Sequence, residues 1–536
     1  MRILSILLAA LVSAIGIASA SAETGKSQWV FFGPDHRLHY GTDERGNRIM
    51  DFSHAGYGGG GVRIPDVPVA QTLDPQPEDN TEPIQAAIEA VSQREPDANG
   101  FRGAILLSPG TYDVRGSLSI STSGVVLRGS GSGEGGTTIR LRGRPHRLLN
   151  IRGSGSWQTE GEVVPIVDAY IPSGATWFTV RPADAAKFQP GDTVLIRRPV
   201  TEAWVQFMGM EGDKLVRNGR RGSWLRPGTS IDADRTIQSI VGYRVTIDVP
   251  LSDSYDANYL NPPGTTLVKT SFPGRIRNVG FESLRVDATP DEGIRGHHGV
   301  VSMNAVSDAW IRDVAVEESL NGISIGSTAR RVTLERVRFH HREAEPHMGG
   351  SSPMDMAISG TQVLIDRSSV VGKKLWPIVT QGRVTGPNVV LNFSADEAGV
   401  SPHQRWATGL LVDGGEFRNN WEWRPGIALA NRENAGSGHG WSAGWSVAWN
   451  AKSDYLLVQQ PPGAANWCIG STGRFTTVLW DGRPLPEPCL PSDRIESVGV
   501  PVNPSSLYLQ QLRERLGDTA VENIGYDTSF NSVVQP

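Results

Sequence analysis

Hydrophobic and polar positions change rhythm along the chain, and each rhythm predicts a different element. Between residues 82 and 91, Ile84, Ala87, Ile88 and Val91 share one face of a 3.6-residue spiral, so this stretch is expected to be an amphipathic helix. Asp79-Asn80-Thr81 is a fitting cap for it. Short β-rich runs follow at 103–107, 110–114, 118–120 and 125–128, punctuated by Gly and Ser as turn chemistry requires. From residue 274 onward strand patterns recur at irregular intervals, in "IRNVGFESLRVD", "DAWIRDVAVEES", "ARRVTLERVRFHH", "GTQVLIDRSSVVG" and "GPNVVLNFSADE". Charges alternate with apolar residues there, as a sheet with one buried face demands. Recurring strand units of this kind suit a solenoid, in which each coil stacks on its neighbours and the open end needs a cap. A β-sandwich is the competing architecture, and it provides no obvious place for the helix at 82–91.

The rest of the chain divides around this pattern. Residues 1–22 read as a signal peptide: Met1-Arg2, an apolar run, then Ala20-Ser21-Ala22 with cleavage expected after Ala22. Residues 23–150 hold a lead-in, the capping helix and the first coils. In the lead-in, Tyr57 to Gly61 is a glycine-rich turn with no Gly-Lys-Ser/Thr after it, which removes a phosphate-binding reading. Residues 151–272, with the turn Gln189-Pro190-Gly191-Asp192, read as a small β insertion. Residues 273–503 carry the main coils, and 504–536 a C-terminal helix and tail with Leu507, Leu509 and Leu512 on its apolar side.

The runs "DNTEPIQAAIEA" and "GAILLSPGTYDVRGSLSISTSGVVLRGSGSG" closely resemble the pectate-lyase-like right-handed parallel β-helix family. The later strings "HHREAEPH", "GTQVLIDR", "GPNVVLN", "PHQRWATG", "NRENAGSGHGW" and "SLYLQQLRERLG" resemble a bacterial and fungal group within it. The resemblance implies an all-β right-handed parallel β-helix that acts on a polysaccharide. Related families are mainly lyases and glycoside hydrolases, and fold analogy does not choose between them.

Composition narrows the partners. A net charge of −5 over 536 residues argues against a general nucleic-acid binder. No segment after the leader is long and apolar enough to cross a membrane, so a secreted or periplasmic location is expected. The two cysteines, Cys468 and Cys489, are compatible with one disulfide or two buried thiols.

Candidate chemistry concentrates in three segments, 340–363, 401–409 and 431–450. Cleaving a uronide by β-elimination requires a base for the C5 proton, a cation for the developing enolate charge, and a proton for the leaving oxygen. Imidazole and guanidinium supply these near neutral pH. His341, Arg342, His403, Arg405 and His439 are therefore the expected catalytic set, with His403 or His341 as base or acid and Arg342 or Arg405 on the substrate carboxylate. Glu343, Glu345, Asp355, Trp406 and Trp441 are expected to bind substrate, the tryptophans by stacking on sugar rings. A hydrolase would instead need two carboxyl groups, from Glu343, Glu345, Asp355 or Asp396. Gly438-His439-Gly440 is similar to a polygalacturonase-type motif, but the Asn-Thr-Asp and paired-aspartate motifs of that family are missing before it. A third reading is a non-catalytic carbohydrate-binding or adhesion solenoid. His340, His341 and His347 with Glu343 and Glu345 offer metal ligands without a zinc spacing, and oxygen ligands are too few to assert a calcium site, so no cofactor is expected.

Overall fold

The computed structural model describes residues 24–530 apart from 213–214, 218, 223, 295, 297, 343–353, 373–375, 398, 479–481 and 485–491. The signal peptide expected at residues 1–22, together with Glu343, Glu345, His347 and Cys489, thus lies outside the described residues.

The chain is mostly strand, and its larger part is organised as three parallel ladders that it visits in turn. The first ladder runs from Val69–Leu73 through Gly103–Leu107, Val125–Gly129, the first half of Ile276–Asp287 and then Val306–Glu317, Arg330–Glu335, Thr361–Asp366, Thr385–Leu391, Ala407–Asp413, Ser446–Trp449 and Asn466–Ile469. The second includes Gly110–Val114, Thr137–Leu141, Arg338–His340, Ser369–Val371, Ser394–Asp396 and Glu416–Arg418. The third includes Leu118–Ile120, Arg147–Arg152, Gly299–Asn304, Ile323–Ile325, Met354–Ile358, Trp376–Thr380, a bridge at Val400, and Ile427–Leu429. Every pairing within these ladders is parallel, whereas a sandwich built from hairpins would pair its strands antiparallel. The sandwich alternative fails on that point.

Register explains why the stack holds. Ile105, Leu127, Phe281, Ile311, Leu334, Ile365, Val390, Val412, Ala448 and Cys468 are successive partners in the first ladder, and all point into one buried core. Cys468 is a member of this apolar column, and burial pushes its thiol up to about 12. Between the first and second ladders the chain bends through one left-handed residue per coil: Ser283, Asp313, Arg336, Arg367 and Asn392 all have φ between 45° and 58°. The bend recurs because a coil leaves room for only a residue or two at that corner.

The helix expected at 82–91 forms over Thr81–Ser92 and buries Ile84, Ala87, Ile88 and Val91 against the first strands of the ladders. Asp79 Oδ1 accepts from Thr81 N at 3.0 Å, while Asn80 turns its amide to backbone carbonyls instead of capping. Residues 158–271 form an antiparallel sheet with small appendages, and Gln158–Thr159 and Ser230–Val241 are among its strands.

A second core lies outside the stack. Leu364, Val389, Leu411, Val447 and Trp467 are successive first-ladder partners that point outward, and they are buried by the antiparallel sheet, the lead-in and the helix Leu507–Leu516. Arg235 pins the two parts together: it is fully buried and donates to Val249, Pro250 and Gly386 carbonyls. The outer face of the first ladder is therefore closed over these coils, and open surface is left on the other two ladders.

Candidate functional site

The expected catalytic residues gather at the two ends of third-ladder strands. His341 follows the second-ladder strand Arg338–His340 and meets Asp355 at the beginning of the strand Met354–Ile358; His403, Arg405 and His439 come after third-ladder positions, beyond Val400 and Ile427–Leu429. At the beginning of Met354–Ile358, His341 Nε2 and Asp355 Oδ1 are 2.9 Å apart, and both side chains are fully enclosed. Their remaining polar atoms, Nδ1 and Oδ2, find no partner among the described residues. His341, expected as base or acid, and Asp355, expected to bind substrate, are thus found paired with each other and enclosed. Arg342 is exposed, and its backbone N–H donates to Glu318 at 2.6 Å. His340 pairs with Glu317 at 2.8 Å, which also holds Arg285. Among the described residues no three His, Cys, Asp or Glu side chains cluster as metal ligands would.

The end beyond the strands is built from three segments. His403 N donates to Thr380 O, which continues the ladder by one step. His403 Nδ1 donates to Gln381 Oε1 at 2.9 Å, so the ring proton sits on Nδ1 and Nε2 carries the lone pair. The imidazole meets His439 edge to face with centroids 4.6 Å apart. Arg432 donates to the His403 carbonyl at 3.0 Å and lies 4.6 Å over the Trp376 ring. Arg405 Nη2 donates to Ser437 Oγ at 2.6 Å. Gln381 Nε2 reaches Met354 Sδ at 3.4 Å, and Met354 adjoins Asp355, so side chains link the two ends across the ladder.

Electrostatics mark this end as unusual. Burial, then the Arg432 and Arg405 charges, lower His403 to about 4, which keeps the imidazole neutral. Burial lowers Arg432 to about 10. Arg405 is lowered by burial and by two further guanidiniums, Arg383 and Arg226. None of Arg226, Arg383, Arg405 and Arg432 forms an ion pair among the described residues. The Arg432 and Arg405 charges thus act on His403, and those of Arg383 and Arg226 act on Arg405, so positive potential collects at this end of the strands.

Backbone strain sits at the same place. Arg405 and Trp406 both have left-handed φ, 55° and 62°, which costs about 1–3 kcal/mol per residue. Hydrogen bonds from Arg405 N to His439 O and from Trp406 N to Trp441 O hold the bend. The connection between the sheet's strands Thr193–Pro199 and Ser230–Val241 braces the 431–441 loop from outside: Trp224 Nε1 donates to Trp441 O, and Asn434 donates to Val216 O. Gly440 has φ 56°, and a Cβ there would strike Met210 and Trp224, so only glycine allows this close approach.

The expected stacking tryptophans are core residues instead. Trp406 is 1% exposed and donates to Asp253 at 2.7 Å; Trp441 is enclosed in the second core. Exposed indoles are Trp177, on the antiparallel sheet, and Trp421 and Trp423, in "NNWEWRPG", where the signal is the W-x-W alternation before Pro-Gly. Arg432 lay within a segment already singled out. Arg383 precedes Arg405 in "QGRVTG", and Arg226, in the connection before the strand Ser230–Val241, has no sequence signal at all. Asp396, a candidate carboxylate of the hydrolase reading, accepts from Asn419 Nδ2 at 2.6 Å at the end of the strand Ser394–Asp396.

No protein-family profile and no curated protein matches the chain. Solved structures that resemble it include the Gp54 tailspike of Acinetobacter baumannii bacteriophage AP22 in complex with capsular saccharide (11% identity, TM-score 0.33, 75% of this chain and 55% of that one). PfbA, a surface adhesin of Streptococcus pneumoniae, is 12% identical at TM-score 0.34, with 79% and 77% covered. The A-module of the Azotobacter vinelandii mannuronan C-5 epimerase AlgE6 is 11% identical at TM-score 0.31, with 80% and 87% covered. The chain spans little more than half the length of the tailspike.

Proposed function

We propose that this protein is an exported enzyme whose ladders close into a right-handed parallel β-helix, and that it cleaves a uronic-acid-containing polysaccharide by β-elimination. The observation that carries this reading is the arrangement of His403, held by Gln381 and edge to face with His439, beside Arg432, which donates to its carbonyl, and Arg405, whose charge reaches it. A uronate carboxylate seated between Arg405 and Arg432 would form charge-assisted hydrogen bonds there. That anion offsets the field that keeps His403 weakly basic, so binding itself raises the proton affinity of Nε2. Nε2 then removes the C5 proton. The electron pair forms the C4–C5 double bond, the C4–O bond breaks, and the departing oxygen takes up a proton from the new imidazolium or from water. The guanidiniums stabilise the enolate-like charge that develops in between.

The test is cleavage of a panel of uronic-acid polymers, followed by absorbance of the unsaturated product. His403→Ala is expected to lose about 10²–10⁴-fold in rate, and Arg405→Gln to raise KM. Saturated products would assign a hydrolase, and full activity in His403→Ala would remove this site from consideration.

A further inference from the structure

We propose that Trp421, Trp423 and Arg424 form a docking platform for an acidic glycan chain, apart from the His403 cluster and extended by Tyr455 and Arg474. The platform is the turn between the second-ladder strand Glu416–Arg418 and the third-ladder strand Ile427–Leu429. Trp421 and Arg424 exchange both backbone hydrogen bonds, at 3.2 and 2.8 Å, which fixes a tight hairpin. The two indoles project from it 41% and 40% exposed, with ring centroids 5.8 Å apart and planes only 15° from parallel. Exposed large aromatics presented in parallel mark a contact surface more than a packing one.

The charge beside them is positive and unpaired. Arg424 lies 4.2 Å over the Trp423 ring, has no ion pair among the described residues, and is lowered to about 10 by burial alone. Glu422, between the indoles, is turned away and tied to Thr477 by two hydrogen bonds of 3.0 and 2.7 Å. On the next coil Tyr455 accepts from Gly426 N through its carbonyl, and Arg474 stacks on the Tyr455 ring at 4.6 Å, its charge also felt by Glu422. Flat apolar faces suit the C–H faces of pyranose rings, and the guanidiniums suit carboxylates or sulfates on them. Single-stranded nucleic acid would also match aromatics plus arginine, but the net charge of −5 opposes it.

Place in the fold adds a direction. The platform precedes the strand Ile427–Leu429, and Arg432 and His439 follow it. Three residues span roughly 10 Å, so a glycan of a few units laid across this strand would touch both sites. This extension rests on the proposed function; the platform itself does not.

Affinity electrophoresis through gels holding polygalacturonate, polymannuronate, dextran or an oligo-dT strand tests it. The wild type is expected to be retarded by at least one uronate polymer and not by dextran or oligo-dT. Trp421→Ala/Trp423→Ala is expected to abolish retardation, Arg424→Gln to weaken it about tenfold, and Trp421→Phe/Trp423→Phe to retain most of it, with matched thermal melts. His403→Ala should lose cleavage yet stay retarded. Should the alanine pair not fold, Arg424→Gln against the phenylalanine pair decides. Unchanged retardation in the folded alanine pair, or in Arg424→Gln, overturns the platform. So does no retardation of the wild type by either uronate polymer, or retardation by dextran or oligo-dT that equals it. Retardation of the wild type without any cleavage would sink the lyase reading alone.

Discussion

Trp406 shows how one side chain can carry two opposite roles in a sequence. Beside His403 and Arg405 it reads as a sugar platform, yet its indole is enclosed and hydrogen-bonded to Asp253, which also accepts from Trp445 at 3.0 Å. Trp406→Ala is therefore expected to cost about 3–5 kcal/mol of stability, read as a lower denaturation midpoint, with no selective loss of polymer affinity. A selective affinity loss at unchanged stability would restore the stacking role. Arg432 gives a second residue-scale prediction. Its charge is the largest influence on His403 after burial, so Arg432→Gln should move the His403 titration from about 4 toward its ordinary 6.5, followed by NMR of the imidazole. Adding a uronate oligosaccharide to the wild type should move it the same way. No movement in either experiment would leave burial as the sole cause.

Among elements, the C-terminal helix departs most from its sequence pattern. Leu507, Leu509 and Leu512 predict a one-sided helix, but Tyr508, Gln510 and Gln511 are buried too, because the helix is wedged between the first ladder and the lead-in. Its N-terminus is held by Asp413, whose Oδ2 accepts from Ser506 Oγ and Tyr508 N, both at 2.7 Å. Burial raises Asp413 from 3.8 to about 7. The folded protein thus keeps a proton that the unfolded chain releases near pH 3.8, so this stabilising contribution is full below that pH and is lost as pH rises through about 7. Asp366, raised to about 6 mainly by burial, slopes the same way. The expected outcome is that Asp413→Asn flattens part of the decline in denaturation midpoint between pH 4 and pH 8; parallel curves for the two proteins would refute it. The capping helix, by contrast, was legible in full, because Ile84, Ala87, Ile88 and Val91 meet a single surface and nothing else competes for them.

At the scale of the whole molecule, residues 158–271 are part of the structure's support. They bury the outward first-ladder residues Leu364, Val389 and Leu411 and brace the loop that carries His439. Replacing 158–271 by a short linker is expected to give insoluble or misfolded protein, since that apolar face would be exposed. A soluble product with a cooperative melt would show that the coils stand alone.

What the sequence by itself determined is local. Period-2 and period-3.6 patterns placed the early strands and the capping helix within a residue, because inward positions such as Ile105 and Leu127 repeat whatever the rest of the chain does. The recurrence of strand units pointed to stacked parallel ladders for the same reason. Only the tertiary structure decided which face of the stack stays open, and with it which polar residues can meet a ligand. The antiparallel sheet and the C-terminal helix cover the outer face of the first ladder, so Trp406 and Trp441 are buried while Trp421 and Trp423 remain exposed. Likewise Arg405 and Arg432 come from separate stretches of sequence, and their charges meet at His403 only because successive strands of the stack lie side by side.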